Sequence, residues 1–551
     1  MSVMDCIRRI TAFALCGAVT TTMAIALADT YTWHGPGDAV GSGIFSTAGN
    51  WFDSTGNRTQ TIPGAADDIT VGNNGVNTWT AQTVTLDGDA SVASLKVEGG
   101  NARALGKVAY LNLALGGYTL DVAGQLYMEG IQGWSGTQSG RCTVQGGGTM
   151  NVASVQIGRT NEAGQGSGSL VVKDSGTTLK STGDVSIEGP FTSLEVSGGA
   201  TLNGSALWVN CERAPRSAIG GTGWEKGSIR ITNSNTKVSF GGFRVCRDVN
   251  VSVSDGASLS ITSWKDGGTI WLGGTYGGAY YGNAIGRNDG FSCGNYGTFV
   301  LDNATFSSGN HFAIGYSTAA SGGSGATMTL QNGAKYNAGF VHVGFAADDV
   351  RYNATNDVLN VLSGSELTAN GAALLVSRFG QSSFGKLNVS NATVKCGFLE
   401  MGGKGSATIA SNACLTVSGA APSITLSSTS AEAFKVRMGS QVRFVIPEDG
   451  FAATPITVSK GGVSIVADEN DYAVDPVRLV LDANAFGKKH PQGTVTLIEC
   501  ATASAESLQR LADNLVFVDT PDRRKGTVSV VDGTKLVYTA PPPQGMVVSF
   551  K

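Results

Sequence analysis

The sequence predicts an all-β protein folded as a right-handed parallel β-helix, in which each repeat forms one coil of three short strands. Between Gly168 and Gly402 one pattern occurs eight times: an apolar-x-apolar pair, a turn, one apolar residue, a second turn and a closing apolar-x-apolar pair. Alternation with period two is typical of strands, and repetition along the chain is typical of solenoids. The composition agrees, because 78 glycines and 15% charged residues in 551 disfavour helical and disordered chains.

The repeats place apolar residues at equivalent positions. The first pairs are Leu170/Val172, Leu194/Val196, Ile229/Ile231, Val251/Val253, Phe299/Leu301, Met328/Leu330, Leu359/Val361 and Leu387/Val389. The closing pairs are Val185/Ile187, Leu207/Val209, Phe243/Val245, Ile270/Leu272, Phe312/Ile314, Val341/Val343, Leu374/Val376 and Leu399/Met401. The closest spacing, 22 residues from Ile229 to Val251, leaves room for three strands and three turns. Parallel stacking then predicts ladders of buried apolar side chains.

Longer repeats arise from insertions that follow the closing pair. We expect these insertions to be loops, because they fall between repeats rather than inside a strand. The main insertions are Glu212–Glu225, Gly273–Tyr296, Ser317–Gly325 and Ala346–Asn356.

Residues 1–28 have the features of a secretory signal peptide. Arg8 and Arg9 precede an apolar stretch that ends at Ala26-Leu27-Ala28, an A-x-A cleavage pattern. We therefore expect export, with a mature chain that begins at Asp29. An uncleaved anchor is disfavoured because three threonines interrupt the short apolar stretch, and we expect no membrane span in the mature chain.

The remaining sequence divides into three parts. Residues 29–80 are predicted to form an N-terminal cap, residues 81–432 the β-helix repeats, and residues 433–551 a β-rich capping region with longer strands and more charge. The capping region contains the one convincing helix, Ala505–Leu515, with Ser504 as its candidate N-cap. Caps are expected because the open end of a stack exposes unpaired strand edges.

Short motifs at both ends resemble those of a known group of proteins. The N-terminal part contains Trp33, Gly49-Asn50-Trp51 and Ile62-Pro63-Gly64, and the C-terminal part contains the strand sequences 494–498 and 535–538. In these motifs the chain resembles secreted bacterial proteins with autotransporter-type and sorting-signal-associated β-helix repeats. The resemblance implies a passenger-like β-helix displayed outside the cytoplasm. We expect no membrane-barrel domain and no terminal sorting helix in this sequence.

Charge and cysteine content argue against two kinds of site. A formal net charge of −4 at pH 7 disfavours a nucleic-acid partner, since phosphate binding needs a basic surface. Seven of the nine cysteines follow the signal peptide, and they form neither a disulfide framework nor a zinc pattern. We expect most of them to be small buried hydrophobic residues, with no bridge between Cys211 and Cys246.

Residues suited to catalysis are scattered along the chain. The two regular outward columns of the predicted coils offer one carboxylate each, Glu195 and Glu400. The histidines lack metal-ligand spacing and are His34, His311, His342 and His490. We therefore predict no catalytic residue, no metal site and no cofactor. The alternative is a carbohydrate-active enzyme, a polysaccharide lyase or glycoside hydrolase, whose acids would come from residues 264–296 or 345–356.

One column combines aromatic and cationic residues. Trp208, Arg244 and Trp271 occupy the same outward position in three successive repeats. Further aromatic residues are expected beside them: Trp264, Tyr276, Tyr280 and Tyr281. Flat aromatic faces and a stacked guanidinium suit the apolar faces of sugars, so these seven residues are candidate glycan contacts. The alternative is that the insertion 273–296 folds over the column and buries it.

These observations predict a secreted or cell-surface structural or adhesive protein without catalytic activity. Its expected partner is a polysaccharide or a cell-surface glycan.

Overall fold

The computed structural model describes residues 28–34, 36, 41–72, 81–99, 109–130, 140–158, 160–161, 164–165, 168–188, 192–209, 227–245, 249–262, 269–274, 297–309, 311–317, 325–346, 355–377, 384–406, 409–437, 439–466 and 476–543. This part of the chain is nearly all β, as the sequence predicts, and its strands form two long, mainly parallel sheets. Residues 1–27, most residues of the four predicted insertions and residues 544–551 lie outside the described residues.

The first sheet contains the first strand of each repeat, and every neighbouring pair in it is parallel. Its strands are Gly43–Ile44, Gln82–Thr85, Ala109–Ala114, Gly140–Gln145, Gly168–Val172, Ser193–Val196, Gly227–Ile231, Val249–Ser254, Thr298–Asp302, Thr327–Gln331, Thr355–Leu362, Phe384–Ser390, Ile409–Ser418, Gln441–Val445, Arg478–Asp482 and Leu515–Phe517. A short strand, Gly403–Ser406, pairs antiparallel with Ile409–Ser418.

The second sheet contains the second and third strands of each repeat. Its mainly parallel strands are Asp68–Gly72, Ala90–Val92, Ser94–Gly99, Thr119–Gly130, Gly148–Ile157, Thr177–Ser181, Val185–Ile187, Thr201–Val209, Lys237–Val245, Ser258–Ile261, Thr269–Gly274, Thr305–Ser308, His311–Ser317, Lys335–Ala338, Val341–Ala346, Glu366–Val376, Thr393–Met401, Ser423–Leu426, Phe434–Arg437, Ile456–Val458, Val463–Val466 and Thr494–Cys500. In several repeats, such as Thr201–Val209, the second and third strands are continuous, whereas the sequence predicted two separate strands.

The register of the pairs agrees with the predicted ladders. Leu170 lies opposite Leu194, which lies opposite Ile229, and this correspondence continues repeat by repeat. These side chains are at most 1% exposed, because alternation places every second side chain of a strand in the interior. One repeat contributes a phenylalanine from each of its three strands, Phe299, Phe306 and Phe312. The Phe306 ring lies 5.1 Å from that of Phe299 and 4.7 Å from that of Tyr336.

The corners of each repeat require left-handed backbone, which explains the Asn, Asp and Gly of the repeat pattern. Between the first and second strands several non-glycine residues have φ between 46° and 76°: Asp174, Asn233, Asp255, Asn303, Asn332, Ser363 and Asn391. Asx side chains tolerate this region better than other side chains do. The position that follows the closing apolar pair has the same requirement, and Gly315, inside the strand His311–Ser317, occupies it with φ 74°. A Cβ atom at Gly315 would lie 1.9 Å from the Asp357 carboxylate.

The N-terminal motif, which contains Trp33 and Gly49-Asn50-Trp51, lies at one end of both sheets. Strand Thr30–Trp33 pairs in parallel with Asp68–Gly72 and antiparallel with Trp51–Phe52, beside a 3₁₀ turn, Ala48–Asn50. Asn50 is 3% exposed and donates from Nδ2 to the carbonyl of Ile44 at 2.8 Å, while the Trp51 indole donates to Phe45 at 2.9 Å. These bonds satisfy carbonyl groups at the edge strand of the first sheet, as a cap must.

Parallel pairing continues past residue 433, where the sequence predicts the capping region to begin. Phe434–Arg437 pairs with Leu399–Met401, and parallel pairing of the first sheet extends to Leu515–Phe517. The second sheet ends in the antiparallel strands Lys535–Thr539 and Thr527–Val531.

Two α-helices, Asn484–Lys489 and Ala505–Asp513, lie in the C-terminal part, together with a 3₁₀ turn, Asp522–Arg524. The sequence predicted only the second helix and placed its end at Leu515, which instead begins a strand. Ser504 precedes that helix but does not cap it through its side chain. Its hydroxyl accepts a hydrogen bond from Val463 N at 2.9 Å, so it connects the helix to the second sheet.

The aromatic interior of one repeat allows a stability prediction. Phe306→Ala should lower the free energy of unfolding by about 3–5 kcal/mol, because it removes a fully buried ring and leaves a cavity. Phe398→Ala is the matched control, since Phe398 is 37% exposed, and it should cost about 1 kcal/mol. Urea unfolding followed by far-UV circular dichroism measures both; equal losses would contradict the predicted core.

The corner glycine allows a second prediction. Gly333→Ala should cost about 1–2 kcal/mol, because Gly333 has φ 78° but an added Cβ would meet nothing within 4 Å. Gly315→Ala should cost about 1–3 kcal/mol more, because it adds a clash with Asp357 to the same backbone strain. The urea midpoints of the two variants make the comparison. If Gly315→Ala is no less stable than Gly333→Ala, the result contradicts the short distance between the Asp357 carboxylate and position 315.

Candidate functional site

The predicted aromatic column lies on adjacent third-strand segments of the second sheet. Trp208 lies opposite Ser186 on one side and Arg244 on the other, and Arg244 lies opposite Trp271. The residues flanking Trp208, Leu207 and Val209, are 1% and 0% exposed. Alternation therefore directs Trp208 away from the core, where it is partly buried. The backbone register thus aligns the three positions, which we call the aromatic column.

The other predicted contacts lie outside the described residues. These are Trp264, Tyr276, Tyr280 and Tyr281, together with the side chains of Arg244 and Trp271. A sugar contact at these positions, and the alternative that the insertion 273–296 covers the column, both remain predictions.

The same outward position continues toward the N-terminus. Gln156 lies opposite Ser186, Tyr127 opposite Gln156, and Lys96 opposite Tyr127. The Lys96 ammonium lies 5.9 Å from the centroid of the Tyr127 ring and 3.1 Å from the Glu98 carboxylate. The eightfold repeat pattern begins at Gly168 and therefore does not include this part of the column. Lys96 and Tyr127 nevertheless lie at the centre of apolar-x-apolar pairs.

The continuation toward the C-terminus has a different character. The outward residues Ala313, His342 and Leu375 are 0%, 6% and 2% exposed, so this stretch is buried despite facing away from the core. The next position is Glu400, which accepts a hydrogen bond from Nε of Arg437 at 2.9 Å and forms an ion pair with Nη2 of the same guanidinium, also at 2.9 Å. Among the described positions, the surface available to a ligand is therefore the stretch from Lys96 to Trp208.

Several of the described carboxylates have structural partners. Asp357 is fully buried and accepts a hydrogen bond from Ala326 N at 2.8 Å. In the turn acid Asp255, hydrogen bonds from the hydroxyls of Thr232 and Ser254 lower the pKa below its usual value. No group of three or more His, Cys, Asp or Glu side chains that could hold a metal occurs in the described part of the chain. Of the alternative catalytic segments, residues 275–296 and 347–354 lie outside it.

The cysteines in the described ranges include core residues, as the sequence predicts. Cys142, Cys396 and Cys500 are buried, and Cys142 lies in the apolar ladder between Leu111 and Leu170. Burial raises the pKa of the Cys142 and Cys396 thiols to about 12. Both are therefore protonated near neutral pH and are poor nucleophiles. Cys211 and Cys246 lie outside the described residues.

Within the described ranges, no helix is long and apolar enough to cross a membrane. Comparison with known proteins gives no further assignment: no protein family, no curated protein and no solved structure matches this chain.

Proposed function

We propose that this protein is an exported, non-catalytic right-handed parallel β-helix that binds a linear glycan along its aromatic column. The observation that carries the proposal is the register that aligns Trp208, Arg244 and Trp271 on adjacent strands. Export rests on the A-x-A pattern that ends at Ala28.

The β-helix assignment is supported by the pairing pattern. First strands pair with first strands of the neighbouring repeats, and third strands pair with third strands. A chain that returns to the same sheet once per repeat, always in parallel, must make a crossover connection each time. Such crossovers are right-handed in about 98% of proteins, which supports the right-handed coil.

Glycan binding is supported by the spacing of the aromatic positions. Neighbouring parallel strands lie about 4.8 Å apart, so Trp208 and Trp271, two strands apart, are separated by roughly 9.6 Å along the stack. In an extended glycan, alternate sugars present the same face, and such a chain can place one sugar against each indole. Tyr127 and Lys96 would extend this surface toward the N-terminus.

A structural role without catalysis is supported by the interactions of two carboxylates, Asp357 and Glu400. Asp357 accepts a backbone hydrogen bond inside the fold, and Glu400 binds Arg437 on the outward face of the second sheet. Both carboxylates stabilise the repeats, and a binding surface would lie on the same scaffold as a separate feature.

The proposal predicts that Trp208→Ala weakens binding to neutral polysaccharides about fivefold, because the indole face is lost. Native gel electrophoresis in gels containing a β-glucan or a xylan measures the dissociation constant through the retardation of the band. Trp208→Phe should retain most of the binding. Tyr118→Ala, at an aromatic residue that is 40% exposed on a turn, is the control and should bind as the unmodified protein does.

Three outcomes would overturn this function. The first is unchanged retardation of the Trp208→Ala variant, and the second is no retardation of the unmodified protein by any neutral polysaccharide. The third is turnover, seen as new reducing ends or unsaturated products when the protein is incubated with acidic and neutral polysaccharides with and without calcium. Turnover would favour the carbohydrate-active enzyme instead.

A further inference from the structure

The first sheet carries a cation–aromatic stack that sequence analysis did not identify. Tyr110 and Arg141 lie opposite each other on the parallel strands Ala109–Ala114 and Gly140–Gln145. Burial alternates along the second strand, so Arg141 faces away from the core while Cys142 faces into it. The Arg141 guanidinium carbon lies 4.8 Å from the centroid of the Tyr110 ring. The ring therefore holds the guanidinium in a defined position.

Arg141 makes no ion pair with a described acidic residue, in contrast to the outward cations Lys96 and Arg437. Lys96 has Glu98 at 3.1 Å, and Arg437 has Glu400 at 2.9 Å. Within the described residues, Arg141 makes no ion pair, and its Nε is buried without a hydrogen-bond acceptor. A buried donor without an acceptor is costly, and a guanidinium is the group best suited to bind a carboxylate or sulfate through two hydrogen bonds. Among the described residues, the stack is thus a positioned cation without an acidic partner.

The stack lies at the end of a row of hydroxyl side chains. Ser169 lies opposite Arg141, Ser193 opposite Ser169, and Ser228 opposite Ser193. The hydroxyls of Ser193 and Ser169 are hydrogen-bonded at 2.8 Å. The row runs along the stack with one residue about every 4.8 Å. Ser169 is 7% exposed, whereas Ser193 is partly buried and Ser228 is exposed. A ligand that follows the row would therefore meet the hydroxyls of Ser193 and Ser228 and would carry an anion at the Arg141 end.

We propose that Arg141, held by Tyr110, anchors an acidic polysaccharide through a carboxylate or sulfate group, with the sugar chain lying along the serine row. Uronic acids and sulfated sugars both supply this combination of anion and hydroxyls, and a sheet face presents it over several repeats. The site lies on the first sheet, whereas the aromatic column lies on the second. Its test can therefore fail while glycan binding at Trp208 succeeds, and the reverse also holds.

The test measures binding of the full-length exported chain to polygalacturonate, as the carboxylate polymer, and to heparin, as the sulfated polymer, by affinity electrophoresis at fixed ionic strength. Arg141→Gln should weaken binding to at least one polymer about tenfold. Arg141→Lys should recover only part of the affinity, because lysine keeps the charge but not the planar fork.

Arg230→Gln is the matched control, because Arg230 is an exposed arginine on the same sheet. It should lower binding far less than Arg141→Gln does. The proposal is overturned if neither polymer binds, if Arg141→Gln binds as the unmodified protein does, or if both arginine variants lose affinity equally. It is also overturned if inorganic sulfate, at matched ionic strength, displaces the bound polymer as effectively as free polymer does. That result would indicate an anion site without saccharide recognition. Melting temperatures of all variants verify that each protein is folded.

Discussion

In-register parallel hydrogen bonding between equivalent strands is the constraint on which the rest of this structure depends. Once Leu170 lies opposite Leu194, the period-two alternation fixes the inward or outward position of every neighbouring residue on both strands. Apolar ladders such as Leu170, Leu194 and Ile229 then exclude water along the stack, and outward residues form columns. A shift of one residue would expose the ladder and bury the column. Core and candidate binding surfaces therefore arise from the same register.

The corners and ends are consequences of that register. A repeat can return to the same register only by turning sharply, and left-handed residues such as Asp255 and Gly333 make those turns. At the N-terminal end Asn50 and Trp51 satisfy carbonyl groups of the outermost strand segment, and at the C-terminal end the sheet changes to antiparallel pairing. These hydrogen bonds place the Gly-Asn-Trp motif against the first described strand of the first sheet, Gly43–Ile44.

The sequence was sufficient to predict the all-β class, the inward ladders and the alignment of Trp208 with Arg244, because all three follow from alternation and repeat spacing. It did not predict the helix Asn484–Lys489, which has six residues and too few turns for a helical period to be visible. The continuation of parallel pairing beyond residue 433 was also missed, since longer strands and more charge resemble a change of domain.

The Arg141–Tyr110 stack shows a second limit of sequence reasoning. Its residues lie 31 positions apart in strands of looser repeats, and only the register places them together. The buried Asp357 is similar, because its distance from Gly315 depends on how the strands Thr355–Leu362 and His311–Ser317 approach each other. Features within one repeat can be predicted from its sequence pattern. Contacts between residues of different repeats can be predicted only when the register of the paired strands is known.

The most direct test of the central claim is a disulfide between neighbouring repeats that a large insertion separates in sequence. Ser260 and Ser307 are 47 residues apart, lie opposite each other on parallel strands, and have hydroxyl oxygens 3.1 Å apart. The in-register account predicts that the Ser260→Cys/Ser307→Cys variant forms this bond on mild oxidation, as mapped by mass spectrometry of proteolytic peptides. Ser239→Cys/Ser307→Cys, which is two strands apart, should not form a bond. Equal cross-linking of both pairs, or of neither, would contradict the register.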